Sequence, residues 1–206
     1  MSPKGVLWVV VFLSVLVWSA IEPADRLTWW MEVLPAIIGF AILWVTRQRF
    51  PLTELVYFLI LIHAIILMVG GHYTYAEVPA GDWLRDLHGG DRNNYDKLGH
   101  LAQGFIPAMI AREVMIRNRV VAIKAWIPFL VISIVLAFSA FYELIEWWAA
   151  LLSKEAADSF LGTQGYVWDT QSDMMWALSG AMLALLTLSK RQDSQIRQIN
   201  EARQDD

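Results

Sequence analysis

Acidic and imidazole side chains recur near the predicted ends of apolar segments, where charged groups are costly to place. Asp96 and His100 lie four residues apart at the start of one segment and therefore share a helix face. Glu143 and Glu146 lie three residues apart near the end of a later segment. Carboxylates and imidazoles bind divalent cations and transfer protons. The spacing therefore predicts a metal site or an acid/base site.

The candidate site draws its residues from four apolar segments. We predict that the catalytic groups are Asp96, His100, Glu143, Glu146, Asp169 and Asp173. The predicted ligand-binding positions are His72, Tyr73, Lys97, Gln103 and Tyr142. A divalent metal ion is the cofactor that this set suits, and its predicted ligands are His100, Glu143, Glu146 and Asp173. Carboxylates at i and i+3 in a dry pocket need a cation, a shared proton or basic partners.

Each of these residues also has a purely structural interpretation. His100 and His72 could form hydrogen bonds between helices, and His63, in mid-segment, could be buried packing polarity or part of a polar path. Asp169 and Asp173 precede or begin an apolar segment, where carboxylates interact favourably with the positive end of a helix dipole. The convergence of four segments therefore supports a site more strongly than any one residue does.

The composition indicates a membrane protein. The chain has 206 residues, of which 57% are hydrophobic and 17% charged, and its mean hydropathy is +0.44. The apolar residues form blocks that approach the roughly 20 residues needed to cross about 30 Å of hydrocarbon. A net charge of −4 with dispersed basic residues argues against nucleic acid as a partner. The absence of cysteine excludes disulfides and thiolate sites.

Several familiar active-site motifs are absent from the sequence. It contains no HExxH, which argues against a zincin-type protease, and no GxSxG, which argues against a serine hydrolase. It also lacks a Walker A loop and a GxGxxG motif, so neither nucleotide-driven transport nor dinucleotide redox chemistry is indicated.

The apolar runs predict an all-α, polytopic transmembrane bundle of about six helices. The predicted helices span 5–21, 32–45, 53–70, 97–116, 125–152 and 171–189. The second run is short and the fourth carries several polar residues, so the pattern allows five or six spans. We expect one transmembrane domain over 1–189 and a polar, mobile cytoplasmic tail over 190–206. The first run could alternatively be a signal peptide, because Val17 and Ser19 form a small-residue cleavage pattern.

The distribution of basic residues predicts that both termini are cytoplasmic. Basic loops tend to remain in the cytoplasm. Of the 16 basic residues, the predicted inner side holds Lys4, Arg47, Arg49, Arg112, Arg117, Arg119, Lys124, Lys190, Arg191, Arg197 and Arg203. The opposite side holds Arg26, Arg85, Arg92, Lys97 and Lys154. In this orientation the candidate site faces away from the cytoplasm.

Four segments carry a resemblance to a known family. They are 72–79 (HYTYAEVP), 94–105 (NYDKLGHLAQGF), 141–148 (FYELIEWW) and 161–174 (LGTQGYVWDTQSDM). With these motifs the chain resembles the YjdF-like family of bacterial inner-membrane proteins over nearly its whole length. The resemblance implies a multi-pass protein of the bacterial inner (plasma) membrane.

A more distant resemblance is to VanZ-like membrane proteins, which are associated with glycopeptide-antibiotic resistance. It rests on a helix that starts with Asp96, Lys97 and His100, on a later helix with Glu143 or Glu146, and on a last helix that starts with aspartates. The arginine that usually precedes those aspartates is missing, so a phosphate-binding role is not carried over. The resemblance implies a shared helical bundle and a cell-envelope lipid or glycan precursor as ligand.

Three functions follow from these features as hypotheses. In the first, the outward-facing site binds or modifies a cell-envelope lipid or its head group. In the second, the same acids titrate in a small proton-coupled transporter. In the third, the protein is a non-catalytic accessory component of the membrane. The bilayer is the one partner that the composition itself requires, and the sequence indicates no oligomeric state.

Overall fold

Seven α-helices make up most of the part of the chain that the structure describes. The structure, a computed structural model, describes residues 2–152 and 164–202. The helices are α1 (Pro3–Ala20), α2 (Arg26–Thr46), α3 (Glu54–Tyr73), α4 (Pro79–His88), α5 (Tyr95–Arg117), α6 (Ile127–Leu152) and α7 (Asp169–Ala202). No strand occurs in these two ranges, which confirms the all-α prediction. Lys154 of the charge analysis, the first residues of the 161–174 motif and the last four residues lie outside them.

Five of these helices are long and apolar enough to cross a membrane. They are α1, α2, α3, α7 and the stretch from Lys124 through α6. The helix α5 has 23 residues and is also long enough, but it carries charged side chains such as Asp96, Lys97, Arg112 and Glu113. A charged residue facing lipid at mid-membrane costs about 2.5–3.5 kcal/mol on insertion scales. These four side chains must therefore point toward other helices; Lys97, Arg112 and Glu113 are buried and Asp96 is partly buried.

Contacts at both ends of α5 show how this polar helix is accommodated. Near its start, the Tyr95 hydroxyl donates a hydrogen bond to Ile66 O of α3 (3.0 Å), and near its end Glu113 accepts one from the Thr53 hydroxyl (2.6 Å). The helix α5 therefore runs antiparallel to α3 along its length. It runs parallel to α7, since Lys97 pairs with the start of α7. The surrounding helices thus cover the charged side chains of α5, while the apolar Leu98 and Val114 of the same helix stay exposed.

The closest helix packing is between α5 and α7. A Cβ atom added to Gly104 would lie 1.8 Å from Ala177 O, and one added to Gly180 would lie 2.1 Å from Leu101 O. Both positions require glycine, because any side chain would overlap the backbone of the other helix. Small residues at such contacts allow the close van der Waals packing that holds membrane helices together. This contact holds the middle of α5 against α7.

The boundaries of α2 and α7 differ from the sequence-based prediction. The helix α2 begins at Arg26 rather than at residue 32, because Asp25 caps it by accepting a hydrogen bond from Thr28 N (2.7 Å). The helix α7 continues through the predicted tail to Ala202. Gln192, within that stretch, is fully buried and donates a hydrogen bond to Met109 O of α5. Residues 190–202 therefore continue α7, and Gln192 packs against α5.

Candidate functional site

The start of α5 is held by a buried asparagine in the preceding loop. Asn93 Nδ2 donates hydrogen bonds to Val78 O (3.0 Å) and to Asp82 Oδ1 (2.9 Å). Asn93 Oδ1 accepts a hydrogen bond from Tyr95 N at 3.0 Å. A fully buried amide with these partners leaves the chain little freedom at this point. The side chains that follow on α5, beginning with Asp96, are thereby positioned.

A turn after α3 brings an aromatic side chain against α5. Thr74 has φ = 61°, a left-handed conformation that is unusual for a threonine and directs the chain back over α3. The Tyr75 ring then packs where a side chain on Gly70 or Gly99 would otherwise lie, 2.3 Å and 2.6 Å from the Cβ positions. Burial and the nearby charge of Glu32 raise the pKa of the Tyr75 phenol well above its usual range. The phenol therefore stays protonated.

Three predicted residues from two helices lie close enough to share a metal ion. Among the described residues, Asp96, His100 and Asp173 each offer a ligand atom, and these atoms lie within 4.8 Å of one another. His100 Nε2 lies 3.2 Å from Asp96 Oδ1 and 3.9 Å from Asp173 Oδ2. The other ring nitrogen, Nδ1, lies 2.9 Å from Gln103 Oε1. If Nδ1 donates its proton to that oxygen, Nε2 is the nitrogen available to a cation.

Two cations beside this group neutralise part of its charge. Lys97 Nζ lies 2.5 Å from Asp173 Oδ1 and 2.7 Å from Asp169 Oδ1. Arg92 Nη2 lies 2.6 Å from the same Asp169 oxygen and 3.5 Å from Asp96 Oδ2. Asp169 is thus engaged by two basic groups, which suits a structural carboxylate. Asp173 faces both Lys97 and His100.

The helices α6 and α2 add further acids to the cluster. The Tyr142 hydroxyl donates a hydrogen bond to Glu32 Oε2 (3.0 Å), and the Tyr142 ring packs edge-on against His100 with centroids 6.3 Å apart. Glu143 is 8% exposed, and its Oε1 is buried without a hydrogen-bond partner. Glu146 is partly buried one turn further along α6. The cluster therefore draws on four helices.

The cluster carries more acidic than basic groups. Its carboxylates are Glu32, Asp96, Glu143, Glu146, Asp169 and Asp173, and its bases are Arg92, Lys97 and His100. Buried carboxylates that lack compensating charges are costly, because low-dielectric surroundings strengthen their repulsion. The arrangement therefore needs protons on some carboxyl groups or an added cation.

Two predicted ligand-binding residues lie against α1. His72 Nδ1 lies 3.1 Å from Ser19 O, and the imidazole packs against the Trp18 ring with centroids 4.5 Å apart. Tyr73 packs edge-on against His72, with centroids 4.6 Å apart. These contacts account for both side chains as packing between α3 and α1, so their predicted role in ligand binding stays a prediction.

Glu32, Arg92 and Tyr75 belong to the cluster and were not among the predicted site residues. The apolar run predicts a helix that starts at Glu32, whereas α2 begins at Arg26. An acid one and a half turns inside an otherwise apolar helix was the signal that could have identified it. Arg92 lies in a loop rich in charges, where spacing gives no information about which charge turns inward.

A groove runs from the cluster along α5 and α7. Its volume is about 820 Å³, and its lining includes Arg92, Lys97, Leu98, Leu101 and Trp176. The two basic residues lie at the end where α5 begins, and the leucines and the tryptophan lie further along the helices. The groove is therefore polar at one end and apolar at the other.

Comparisons with known proteins place the chain beside other membrane proteins. The profile of a family described as "Predicted membrane protein (DUF2238)" matches residues 5–194. The chain is 52% identical to "Inner membrane protein YjdF" of Escherichia coli (strain K12) over 183 residues, which is 89% of this chain and 88% of that protein. No solved structure matches. These findings confirm the YjdF-like resemblance and give no support to the VanZ-like one.

Proposed function

The chain belongs to the DUF2238 family of predicted membrane proteins and is a multi-pass protein of the inner membrane; on this basis we propose what its polar cluster does. The cluster binds a divalent cation through Asp96, His100 and Asp173. The cation and the neighbouring basic residues then hold the polar head group of a cell-envelope lipid.

One observation carries this proposal: two carboxylates and an imidazole from two helices lie within 4.8 Å of one another. A set of two oxygens and one nitrogen suits a first-row cation such as Zn²⁺ or Mn²⁺. The contact between His100 and Gln103 supports it, because metal-binding imidazoles usually donate their second N–H to a fixed acceptor. The buried, unpartnered oxygen of Glu143 is a further feature that a water molecule on the cation would satisfy.

The groove supports a lipid as the ligand. Arg92 and Lys97 at its polar end could contact an anionic head group, and Leu98, Leu101 and Trp176 could contact the first part of an acyl or isoprenoid chain. Without a cation, the aspartates that pair with Lys97 would repel an anion. A divalent cation at Asp173 makes the local charge positive. The metal and the anionic head group should therefore bind together.

A hydrolytic reaction at this site would use Glu143. A bound divalent cation lowers the pKa of a coordinated water. Glu143 lies on the facing helix with one oxygen free of hydrogen bonds, so it could accept the proton. Tyr142 and Glu32, joined by a hydrogen bond, would hold the adjacent wall of the site.

Metal analysis of the purified protein tests the proposal. We expect the wild type, dialysed against Zn²⁺ or Mn²⁺, to retain about one equivalent of metal per chain and His100→Ala to retain little. Glu143→Gln should retain the metal. His88→Ala is a matched control, because His88 is an exposed residue of α4 whose Nδ1 contacts Leu84 O of the same helix. Equal metal content in the wild type and His100→Ala would remove the proposal.

The lipid part of the proposal needs its own measurement. A fluorescent phosphatidic acid in nanodiscs of phosphatidylcholine should bind in the presence of the metal and dissociate after EDTA treatment. Trp176→Ala should weaken binding of this lipid and leave the metal content unchanged, because Trp176 lies on the apolar part of the groove. If neither EDTA treatment nor Trp176→Ala weakened lipid binding, the lipid would bind elsewhere. That result would contradict the proposal that metal and lipid bind together at this site.

A proton-coupled transporter is the second candidate. The observation that favours it is the number of carboxylates at one level of the bundle, with Glu146 on α6 following Glu143 by one turn. Solute or proton flux in proteoliposomes that is abolished in Glu146→Gln would favour this function. If the protein is a non-catalytic accessory component, substitutions of these acids should alter only its folding or assembly. Metal binding and flux should not depend on them.

A further inference from the structure

The short helix α4 turns its polar side toward the protein and its apolar side away from it. At about 100° of rotation per residue, Gly81 and Asp82 fall on one side of the helix, and Trp83, Leu84 and Leu87 fall on the other. Gly81 is buried and Asp82 partly buried, whereas the three apolar residues are 65%, 50% and 64% exposed. A helix on a surface covered by water has the opposite arrangement. The polarity of α4 therefore suits apolar surroundings on its exposed side.

Contacts on the polar side fix the rotation of α4 about its own axis. Asn93 Nδ2 donates hydrogen bonds to Val78 O (3.0 Å) and Asp82 Oδ1 (2.9 Å). Arg85 Nη1 lies 2.9 Å from the same Asp82 oxygen. A Cβ atom on Gly81 would lie 1.9 Å from Asn93 Oδ1, so the helix backbone rests directly on that amide. Turning the apolar side of α4 inward would break these contacts, so that side stays exposed to whatever surrounds the protein.

The position of α4 along the membrane normal follows from its attachment to α3 and α5. The helix α3 has 20 residues, which span about 30 Å and match the thickness of the hydrocarbon core. Its last residue, Tyr73, therefore lies near one boundary of that core. Tyr95, the first residue of α5, donates a hydrogen bond from its hydroxyl to Ile66 O, seven residues before Tyr73. The start of α5, and with it α4, thus lies near the level at which α3 leaves the hydrocarbon.

Other exposed tryptophans lie at the same end of the bundle. Trp30, Trp147 and Trp168 are exposed, and each is within two residues of an acid of the polar cluster. Asn93 joins α4 to this end, which adds Trp83 to the group. Tryptophan is enriched where membrane proteins meet the head-group region, because its ring is apolar and its N–H is polar. The exposed side of α4 therefore continues the boundary between the bundle and the lipid.

We propose that α4 lies in the interface of the leaflet in which α3 ends, with its three exposed apolar side chains inserted among the head groups and upper acyl chains. Burial of these side chains anchors the helix. Arg85 pairs with both Asp82 and Asp86, so α4 has no excess positive charge to attract anionic lipids. Zwitterionic lipid is therefore sufficient. This contact depends neither on the metal site nor on the groove beside Lys97.

Spin labels on α4 test the proposal directly. The chain has no cysteine, so Trp83→Cys and Leu87→Cys each accept a single nitroxide label. The labelled full-length proteins are placed in phosphatidylcholine nanodiscs, and electron paramagnetic resonance measures how often each label collides with oxygen and with a water-soluble nickel complex. Oxygen concentrates in lipid and the nickel complex in water. We expect both labels at a depth of about 5–10 Å in the interface, with more collisions with oxygen than with nickel.

Two further labels calibrate the depth. Asp86→Cys lies on the same helix outside its apolar side and should be closer to water than Trp83→Cys and Leu87→Cys. Phe138→Cys, an exposed position about 16 Å along α6, is the reference for the hydrocarbon core. More collisions with nickel than with oxygen at Trp83→Cys and Leu87→Cys would place α4 in water and overturn the proposal. Few collisions with either reagent would show that protein covers this side, and dipolar broadening between labels would identify a second copy. Either of these results would also overturn the proposal.

Discussion

Lys97 Nζ lies 2.5 Å from Asp173 Oδ1, so a buried ion pair joins the first turn of α5 to the second turn of the parallel helix α7. Both side chains are buried. Removing one partner of a buried pair leaves the other charge uncompensated, which typically costs 3–5 kcal/mol. The pair therefore fixes the geometry of the candidate metal site as well as its charge.

The first prediction concerns this pair. Lys97→Met should lower the free energy of unfolding by about 3 kcal/mol, because Asp169 and Asp173 lose their shared cation. The measurement is unfolding in mixed detergent micelles. Lys4→Met is the matched control, since Lys4 pairs with Glu54 on the surface, with side chains 80% and 73% exposed, and should show no measurable change. Equal stability of the two variants would show that the buried pair contributes little.

The second prediction concerns the opposite end of α5. Glu113 is fully buried and accepts hydrogen bonds from Thr53 N (2.9 Å), the Thr53 hydroxyl (2.6 Å) and Arg117 (2.8 Å). Thr53→Val should destabilise the protein by about 1–3 kcal/mol, because it removes a donor from a buried carboxylate. Thr187→Val is the control, since the exposed Thr187 hydroxyl bonds within its own helix to Leu183 O. If Thr53→Val lost no more free energy of unfolding than Thr187→Val, the bonds between Thr53 and Glu113 would not stabilise the fold.

The third prediction concerns the contact between α5 and α7. Gly104→Ala should destabilise the fold by at least about 1–3 kcal/mol, because the added methyl group would overlap Ala177 O unless the helices separate. Gly39→Ala makes the same chemical change where there is open space and should be tolerated. Thermal unfolding of both variants in the same detergent measures the difference. If Gly104→Ala were as stable as Gly39→Ala, the two helices would not be in the close contact described.

The fourth prediction is a pH dependence at the start of α2. The hydrogen bond that the Thr28 backbone N–H donates to the Asp25 carboxylate holds the pKa of Asp25 below its usual range. Because the carboxyl titrates lower in the folded state than in the unfolded state, its stabilising effect is complete above the unfolded pKa. It is lost as the pH falls through the folded pKa. Asp25→Ala should therefore lose stability at pH 7 and differ less from the wild type once the pH falls below the lowered pKa of Asp25. If the stability difference between Asp25→Ala and the wild type did not change with pH, the Asp25 cap would not act through its charge.

Hydropathy predicted the helical fold because the bilayer imposes a strong constraint on segment length and polarity. It located α5 to within two residues, at 97–116 against Tyr95–Arg117, although the charged residues of this helix lowered its apolar signal. The extension of α7 was missed for a related reason. Gln192 is buried where it forms hydrogen bonds with Met109 and Arg112 of α5, and its sequence context is otherwise polar.

The candidate site was predictable where residues share one helix and less so where they come from loops or distant helices. The four-residue spacing of Asp96 and His100 predicted that they share one helix face. In the structure, His100 Nε2 lies 3.2 Å from Asp96 Oδ1. Glu32 reaches the cluster through the packing of α2, which no local pattern encodes. The contact of His72 with Ser19 likewise depends on which helix lies next to α3.

X-ray absorption at the zinc edge of the metal-loaded protein tests the central claim most directly. The account predicts a first shell with one imidazole nitrogen and carboxylate oxygens at about 2.0–2.2 Å, and loss of the imidazole signal in His100→Ala. A zinc shell without imidazole, or the same shell in the wild type and in His100→Ala, would contradict a cation held between Asp96, His100 and Asp173.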